Sequence, residues 1–426
     1  MKKLLVLSLA VVMVIAFTLP ASAFESVFGG YWRTRFITEQ RFSGEDDSSQ
    51  DLSQVDTRTR LYYTAVLNDN LKLINKFEWN NNYGSGPGGD YGADGTGILR
   101  IKQSYVDANI GPMRAKIGQF DVTYARGFIY ADEQSGVTLS FKAGDVLVPF
   151  SWTKGNEGGT DNNADDVDIF GLYPVFQFGE SFSLNPFVIY GYSSEGGTGD
   201  SLSTWGANGI TWSIDDGTSV YWVGANADFT LGPAALWLTG VYQGGTLDTN
   251  VVGQEDLDVK AYLVAGGVSM PLGPAEIHGQ AFYASGDDDA ADSDAEAFFG
   301  IGGGGRGWAY YWSEIMGNGV FDEGISAGGT VDVSNLWAAN IGASISPMEK
   351  LKLTGDIWYA SHVEDDFTTD EKKLGIEVDL KADYQLVEGL NLTLVGAYLF
   401  ADDATSLDGS NDEDPYELGA QLSLSF

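Results

Sequence analysis

The sequence has no cysteine, only two histidines (His278 and His362), and 23 Lys and Arg against 60 Asp and Glu. Each shortage excludes something. Without cysteine there is no disulfide framework, no thiolate metal site and no thiol nucleophile. A formal net charge of −37 repels phosphate backbones, which excludes nucleic acid as a partner. After Leu19 no long apolar run occurs, so the remaining chain cannot cross a bilayer as helices. Heptads and sustained 3.6-residue periodicity are also missing. What is plentiful is glycine, with 56 residues, and aromatic side chains, at 13%. With no helical period, that composition points to an all-β chain.

The N-terminus supplies the one apolar stretch. Lys2 and Lys3 precede Leu4–Leu19, then Pro20 and Ala21-Ser22-Ala23. A charged start, an apolar centre and a small-x-small site describe a secretory signal peptide. The stretch is short for a membrane anchor, the alternative reading. Cleavage after Ala23 would leave residues 24–426, with 60 acidic against 21 basic side chains.

Period-two alternation runs through the rest. Leu71, Leu73, Phe77 and Trp79 alternate with Lys72, Lys76, Glu78 and Asn80. Leu374, Ile376, Val378, Leu380, Ala382 and Tyr384 alternate with Gly375, Glu377, Asp379, Lys381 and Asp383. Side chains alternate across a strand, so each such segment has an apolar and a polar face. Short turns occur at 68–70, 111–112, 144–145, 179–180, 232–233, 271–274, 347–349 and 388–389, all built from turn-forming residue types. Long connections lie near 43–53, 83–97, 122–134, 154–165, 194–216, 245–256, 286–332, 362–371 and 401–413. Eight turns alternating with nine loops predict eighteen strands of a transmembrane antiparallel up-and-down β-barrel. Sixteen strands stay open, because periodicity bounds the region 135–153 poorly.

Alternation alone does not separate such a barrel from a large soluble β-sandwich or propeller. Nor does the acidity, which also suits a halophile-like soluble protein. The placement of the acids favours the barrel: Asp287–Asp289, Glu364–Asp366 and Asp412–Asp414 lie between strand-like runs. Aromatics near strand ends (Tyr62, Tyr63, Trp79, Tyr105, Trp152, Trp222, Trp237, Trp337, Trp358 and Tyr359) are candidates for interfacial girdles. The last residues, Tyr416 to Phe426, place Tyr416, Leu418, Ala420, Leu422, Leu424 and Phe426 on one apolar file. That ending resembles the C-terminal assembly signal of bacterial outer-membrane barrels.

Basic residues concentrate early. Residues 24–154 hold fourteen Lys and Arg against sixteen acids; residues 155–426 hold seven against forty-four. Arg33 and Arg35, Arg58 and Arg60, Arg100 and Lys102, and Arg114 and Lys116 recur at i, i+2, and Lys72 and Lys76 share their parity. That spacing puts each pair on one face. The face must be the lumen, since a cation in mid-bilayer costs about 2–4 kcal/mol. Acids on the same face, Asp56 and Glu78, could simply neutralise this wall. Glu276, Asp356, Glu377, Asp379 and Asp383 take the lumenal parity of later strands, which predicts an acidic sector facing a basic one. The 122–134 loop is unusually apolar and carries Arg126, Asp132 and Glu133, the side chains expected at a constriction if it folds inward. Packing on the outer rim is the alternative. The longest loop, 286–332, could plug the pore or present an adhesive surface.

No catalytic arrangement emerges from Ser and the two histidines, so the protein is not read as an enzyme. Asn318–Gly324 lacks the alternating ligands of a calcium loop, and neither a metal nor a cofactor is expected. Over its whole length the chain resembles Gram-negative outer-membrane porins. Ile101–Asp107, Ile117–Phe120 and Ser135–Phe141, with Leu374–Leu380 and Gly396–Phe400, resemble alginate-export-type barrels in particular. That resemblance implies eighteen strands and a strongly basic lumen for an anionic polymer. Here only the first five strands are basic. The expected function is therefore passive diffusion of small hydrophilic or charged solutes. Polysaccharide export and a surface barrel plugged by 286–332 are the alternatives. Expected partners are outer-membrane lipid and lipopolysaccharide, and the barrel-assembly machinery acting through Phe426. A homotrimer is also open.

Overall fold

The computed structural model describes residues 24–45, 51–84, 98–156, 167–193, 218–248, 256–289, 292–301, 310–317, 319–321, 333–365, 371–406, 409 and 413–426. The expected signal peptide, the Gly302–Gly305 and Trp308 part of the longest loop, and Asn318 with Asp322–Gly324 lie outside them.

Eighteen barrel strands follow one another in chain order. They are β1 (Glu25–Gln40), β2 (Leu52–Asn68), β3 (Leu71–Asn82), β4 (Ile98–Ile110), β5 (Met113–Tyr124) and β6 (Tyr130–Ala143). Next come β7 (Val146–Asn156), β8 in two pieces (Val167–Leu172 and Phe176–Phe178), β9 (Phe182–Ser193), β10 (Ser219–Leu231), β11 (Ala234–Leu247) and β12 (Leu257–Leu272). The set ends with β13 (Ala275–Ala284), β14 (Leu336–Met348), β15 (Leu351–His362), β16 (Lys373–Val387), β17 (Leu390–Ala401) and β18 (Tyr416–Ser425). Each pairs antiparallel with the next, and β1 closes on β18 through Tyr31↔Ser425 to Gln40↔Tyr416. A closed ladder leaves no strand edge, which is what lets strands stand in lipid. Among the described residues no helix is long and apolar enough to cross a membrane, so crossing falls to strands.

The outer face is apolar along its middle. Leu73, Ile117, Leu238, Val264, Ile341, Ile357, Leu380, Leu394 and Leu418 are all exposed, and they come from strands around the whole wall. That much bare hydrocarbon is unstable in water and requires lipid. At the long-loop end an aromatic girdle runs strand to strand. Tyr190 stands opposite Tyr221, Tyr242 opposite Tyr262 and Tyr283 opposite Trp337 in register, with Tyr262 and Tyr283 stacked at 5.7 Å. Tyr63, Trp152, Trp337 and Tyr359 face outward as the sequence suggests. By contrast Tyr62, Tyr105, Trp222, Trp237 and Trp358 point inward: Trp222 and Trp358 are buried, and the other three carry cations against their rings. Parity decided those positions, and aromatic character alone did not reveal it.

The chain end seals the seam. Phe426 N donates to Gly30 O at 3.2 Å and Gly30 N to Phe426 O at 2.9 Å. A Cβ on Gly30 would sit 2.4 Å from the Phe426 ring, so only glycine accommodates it there.

Candidate functional site

Two segments turn into the lumen from the long-loop end. The first is the tip of the β5–β6 hairpin, residues 125–129. The expected 122–134 loop is shorter than its sequence implies, because Val122–Tyr124 and Tyr130–Gln134 stay in the ladder and pair with each other's strand. Asp132 and Glu133 are therefore strand residues. Ala125 and Arg126 take left-handed φ of 48° and 60°, a conformation that disfavours side chains with a Cβ. Burial of Phe128 and Ile129 offsets it, at about 1.5–3 kcal/mol for each large apolar side chain. The turn aims Arg126 across the lumen. Its Nε donates to Thr239 Oγ1 at 3.0 Å, Nη2 meets Asp228 Oδ1 at 2.8 Å, and the guanidinium lies 5.2 Å from the Trp237 ring centre.

The second segment is the β13–β14 connection. Phe299 N donates to Gln243 Oε1 and Phe299 O accepts from Trp222 Nε1, both at 3.0 Å. Ile301 N donates to Ile129 O at 2.8 Å, and Tyr310 stacks on Phe128 at 3.7 Å, so the two inward segments hold each other. Trp312 packs edge-on against Phe282 and Trp358. Further along, Phe321 lies against Arg35, whose Nη1 donates to Phe321 O. Gly419 makes room for that ring: a Cβ there would be 2.1 Å from it.

These contacts build a hydrophobic core inside the barrel. Phe120, Ile169, Phe187, Ile189, Trp222, Leu263, Phe282, Phe298, Phe299, Ile315, Met316 and Leu399 belong to one buried cluster. Its barrel-strand members come mainly from β5–β17 and the long-loop halves of those strands. The β1–β4 wall stays hydrated, with the Arg58, Arg60, Lys76 and Lys102 side chains each roughly a quarter exposed. The partly exposed cations are thus gathered on one side of the tube, beside an apolar plug.

The cations of the hydrated wall are largely paired. Arg35 is forked to Asp56. Arg60 Nε reaches Glu78 Oε2 at 2.6 Å and Arg58 Nε lies 3.6 Å from the same oxygen. Lys102 Nζ meets Glu133 at 2.5 Å and Asp132 at 3.3 Å, while Lys76 approaches Glu133 at 3.8 Å. Arg114 grips Asp107 through Nε and Nη2. Lys116 sits over the rings of Tyr105 and Phe120 at 5.5 and 5.9 Å. Arg33 stands directly opposite Arg58, and its Nε is buried without a hydrogen-bond partner. Arg100 is exposed and opposite Glu78 in register. Lys72 lies opposite Asp107. Ten cations thus share this wall with five carboxylates, which leaves it positive.

No family model and no curated protein matches this sequence. The solved structures tell more. OccK8 (OprE) of Pseudomonas aeruginosa superposes with a TM-score of 0.59 at 10% identity, covering 94% of this chain and 98% of that one. The outer membrane protein OprD of the same organism gives 0.58 at 12%, with 94% and 93% covered. OccAB4 of Acinetobacter baumannii gives 0.57 at 9%, with 96% and 100% covered. The fold is theirs. At such identities the match speaks for the eighteen-strand barrel and for nothing finer.

The later strands carry the acids. Asp356 Oδ1 accepts from His278 Nε2 at 2.9 Å and from Asn340 Nδ2 at 2.7 Å. Asp383 accepts from Thr393 Oγ1 at 2.7 Å. Glu276 lies two residues turn-ward of His278 on the same face. Glu377 departs from its expected place on the water boundary. It is 0% exposed, and its carboxylate accepts from Ser313 Oγ, Ile315 N and Met316 N at 3.0, 2.7 and 2.9 Å. It holds the plug and does not face the solute space. Asp379, beside it, is 8% exposed.

Three acids of this sector escaped the sequence reading. Glu39 and Glu417 face each other across the β1–β18 seam, both 2% exposed. Their lumenal parity was visible, but their burial depends on the plug. Glu314 lies on the plug itself. Burial raises its carboxyl to about 7, with Glu377 adding to the shift although Val320 N–H donates to Glu314. His362, at the rim, bonds to Asn335 O through Nδ1.

Proposed function

We propose that this chain is an outer-membrane channel of a Gram-negative bacterium, through which small hydrophilic or charged solutes diffuse passively. The observation that carries the reading is the sorted lumen. A positive, hydrated wall on β1–β6 faces an apolar plug and an acidic sector on β13–β18, and a field across a narrowed tube selects solutes by charge and dipole. The constriction in this reading lies between Arg33, Arg58, Arg60, Lys76 and Lys102 on one side and the inward tip at Arg126 on the other, with Asp132 and Glu133 trimming the positive charge. The apolar outer face and its tyrosine girdle fit a lipid setting, and the fold shared with OprD, OccK8 and OccAB4 supports it. OpdK, another P. aeruginosa barrel of this fold, has been crystallised with vanillate. Residues 1–23 act as the export signal, Phe426 addresses the assembly machinery, the acidic loops meet lipopolysaccharide, and the outer face permits a homotrimer.

One observation favours a second reading. The 292–301, 310–317 and 319–321 stretches are bonded into the lumen rather than laid over it, as in a surface barrel closed by its own loop. A polysaccharide exporter, the role implied by the alginate-export resemblance, calls for a continuous cationic lining. Here the run of basic pairs ends at Lys116 on β5, and acids prevail on the later strands. Planar-bilayer recording tests the choice. A diffusion channel gives a steady ohmic conductance from wild-type protein; a closed surface barrel gives none until the plug is loosened.

A further inference from the structure

One register row crosses seven strands of the acidic sector. Glu39 on β1 stands opposite Glu417 on β18, and Glu417 opposite Ala397 on β17. Ala397 faces Asp379 on β16, which faces Asp356 on β15. Gly342 on β14 and His278 on β13 end the row, and Gly342 leaves the room that the Asp356 carboxylate occupies. Neighbouring strands lie about 4.8 Å apart, so like charges along one row repel. The plug lies against this row. Trp312 N donates to Gly317 O at 3.3 Å, Gly319 N to Ser313 O at 2.8 Å and Val320 N to Glu314 Oε2 at 2.6 Å, so the plug turn closes around Glu314. The Asp379 carboxyl meets the Glu314 backbone and the Glu377 carboxyl. Glu377, two residues along β16, accepts from Ser313, Ile315 and Met316 on either side of Glu314.

Cations are too few to neutralise these acids. Arg35 is committed to Asp56 and to Phe321 O, and Lys381 is the cation nearest Glu314 in charge terms. His278 and Asn340 hold Asp356. Glu417 is 2% exposed, and its Oε1 has no hydrogen-bond partner. No three acidic or histidine side chains among the described residues converge as metal ligands. Crowded, buried carboxyls cannot all ionise, so what they take up is the proton. We propose that the plug is latched by protons: acid docks it and narrows the lumen, and alkali loosens it through repulsion among Glu314, Glu377, Asp379, Glu417 and Glu39. Burial holds the Glu314 carboxyl above its ordinary range, so the docked plug keeps a proton that a loosened, hydrated plug gives up. Glu314 borders a lumenal cavity of about 560 Å³ that reaches Glu180 at the β8–β9 turn, which gives that proton a way to water.

The latch rests on the channel reading for its consequence but is tested apart from it. Tyr311 is exposed on the plug, and the chain has no cysteine, so Tyr311→Cys gives a single site for a nitroxide in the full-length barrel. Spectra in detergent should show an immobile label at pH 5 and a mobile population at pH 8. The mobile-to-immobile ratio should rise by up to about tenfold per pH unit for each proton released. Glu314→Gln keeps an acceptor for Val320 N–H without the titrating charge, and should hold the label immobile at both pH values. Glu417→Gln is the second variant if Glu314→Gln does not assemble, and should make the rise shallower. Asp365→Asn, on an exposed loop, should follow the wild type. A label equally mobile at pH 5 and pH 8, a rise unchanged in Glu314→Gln and Glu417→Gln, or an equal loss of the rise in Asp365→Asn would overturn the latch. Ohmic conductance that ignores pH, with the label immobile throughout, would sink the latch alone. A pH-dependent label in a barrel that never conducts would sink the channel reading alone.

Discussion

The two charged sectors of this lumen handle burial in opposite ways. On the basic wall the lumenal acids of β2, β3, β4 and β6 sit beside cations: Asp56 has Arg35, Glu78 has Arg58 and Arg60, Asp107 has Arg114, and Glu133 has Lys76 and Lys102. On β13–β18 and the plug, carboxylates outnumber cations, and Glu377 is satisfied by backbone N–H groups instead. Water explains the contrast. The cations Arg58, Arg60, Lys76 and Lys102 of the basic wall stay partly exposed, which screens them and lets their excess positive charge be tolerated, while the buried Arg35 and Asp56 are bonded to each other. The acidic sector is roofed by the plug, where charge must find donors or take up a proton. One wall is suited to guiding solutes; the other is suited to holding a loop in place.

The largest way to break this comparison is to reverse the wall. Arg58→Glu with Arg60→Glu places two new carboxylates beside Glu78, and ion preference should swing strongly toward cations. Reversal potential under a salt gradient reads the change, and an unmoved potential would mean these residues do not border the conducting path. Next in size is Glu377→Ala. It removes an acceptor of three hydrogen bonds, each worth about 0.5–1.5 kcal/mol net. Loosening the plug should raise single-channel conductance several-fold and add flicker, while the barrel ladder keeps its heat resistance in gel-shift assays.

A smaller effect follows from Glu314. Its carboxyl is raised from 4.5 to about 7, so the docked plug prefers it protonated. That contribution is fully present below about pH 4.5 and is lost as pH rises through about 7. Flicker should therefore grow between pH 5 and pH 8. Glu314→Gln should flatten this rise, with Glu377, Asp379, Asp356 and Lys381 left as the neighbouring charges. The smallest change is expected from Glu133→Gln. It frees Lys76 and Lys102 from partly exposed pairs of about 0.2–1 kcal/mol and should shift selectivity modestly toward anions.

The barrel was legible in the sequence because two local signals agreed. Period-two files such as Leu374–Tyr384 placed the strands, and turns such as Gly144-Asp145 and Gly232-Pro233 separated them. The basic file was legible for the same reason, since parity fixes the face. The interior was not. Phe187, Ile189, Trp222 and Phe282 sit on the lumenal parity of strands whose other face is also apolar, so alternation there carries little contrast. The plug depends on contacts spanning more than sixty residues, as between Glu377 and Ile315 or Trp222 and Phe299. No local pattern encodes those. The inward turn of Arg126 was suggested by an apolar loop, but its partners on β10 and β11 lie about a hundred residues away.

The absence of cysteine allows the most direct test of a hydrated corridor beside an apolar plug. Single cysteines at Arg60→Cys on the basic wall and Phe187→Cys in the plug core can be challenged with a charged, membrane-impermeant methanethiosulfonate during single-channel recording. Rapid reaction with loss of current at position 60, and protection at position 187, is the predicted result. Fast modification and block at position 187 with silence at position 60 would place the water path on the wrong side of the barrel and contradict the account.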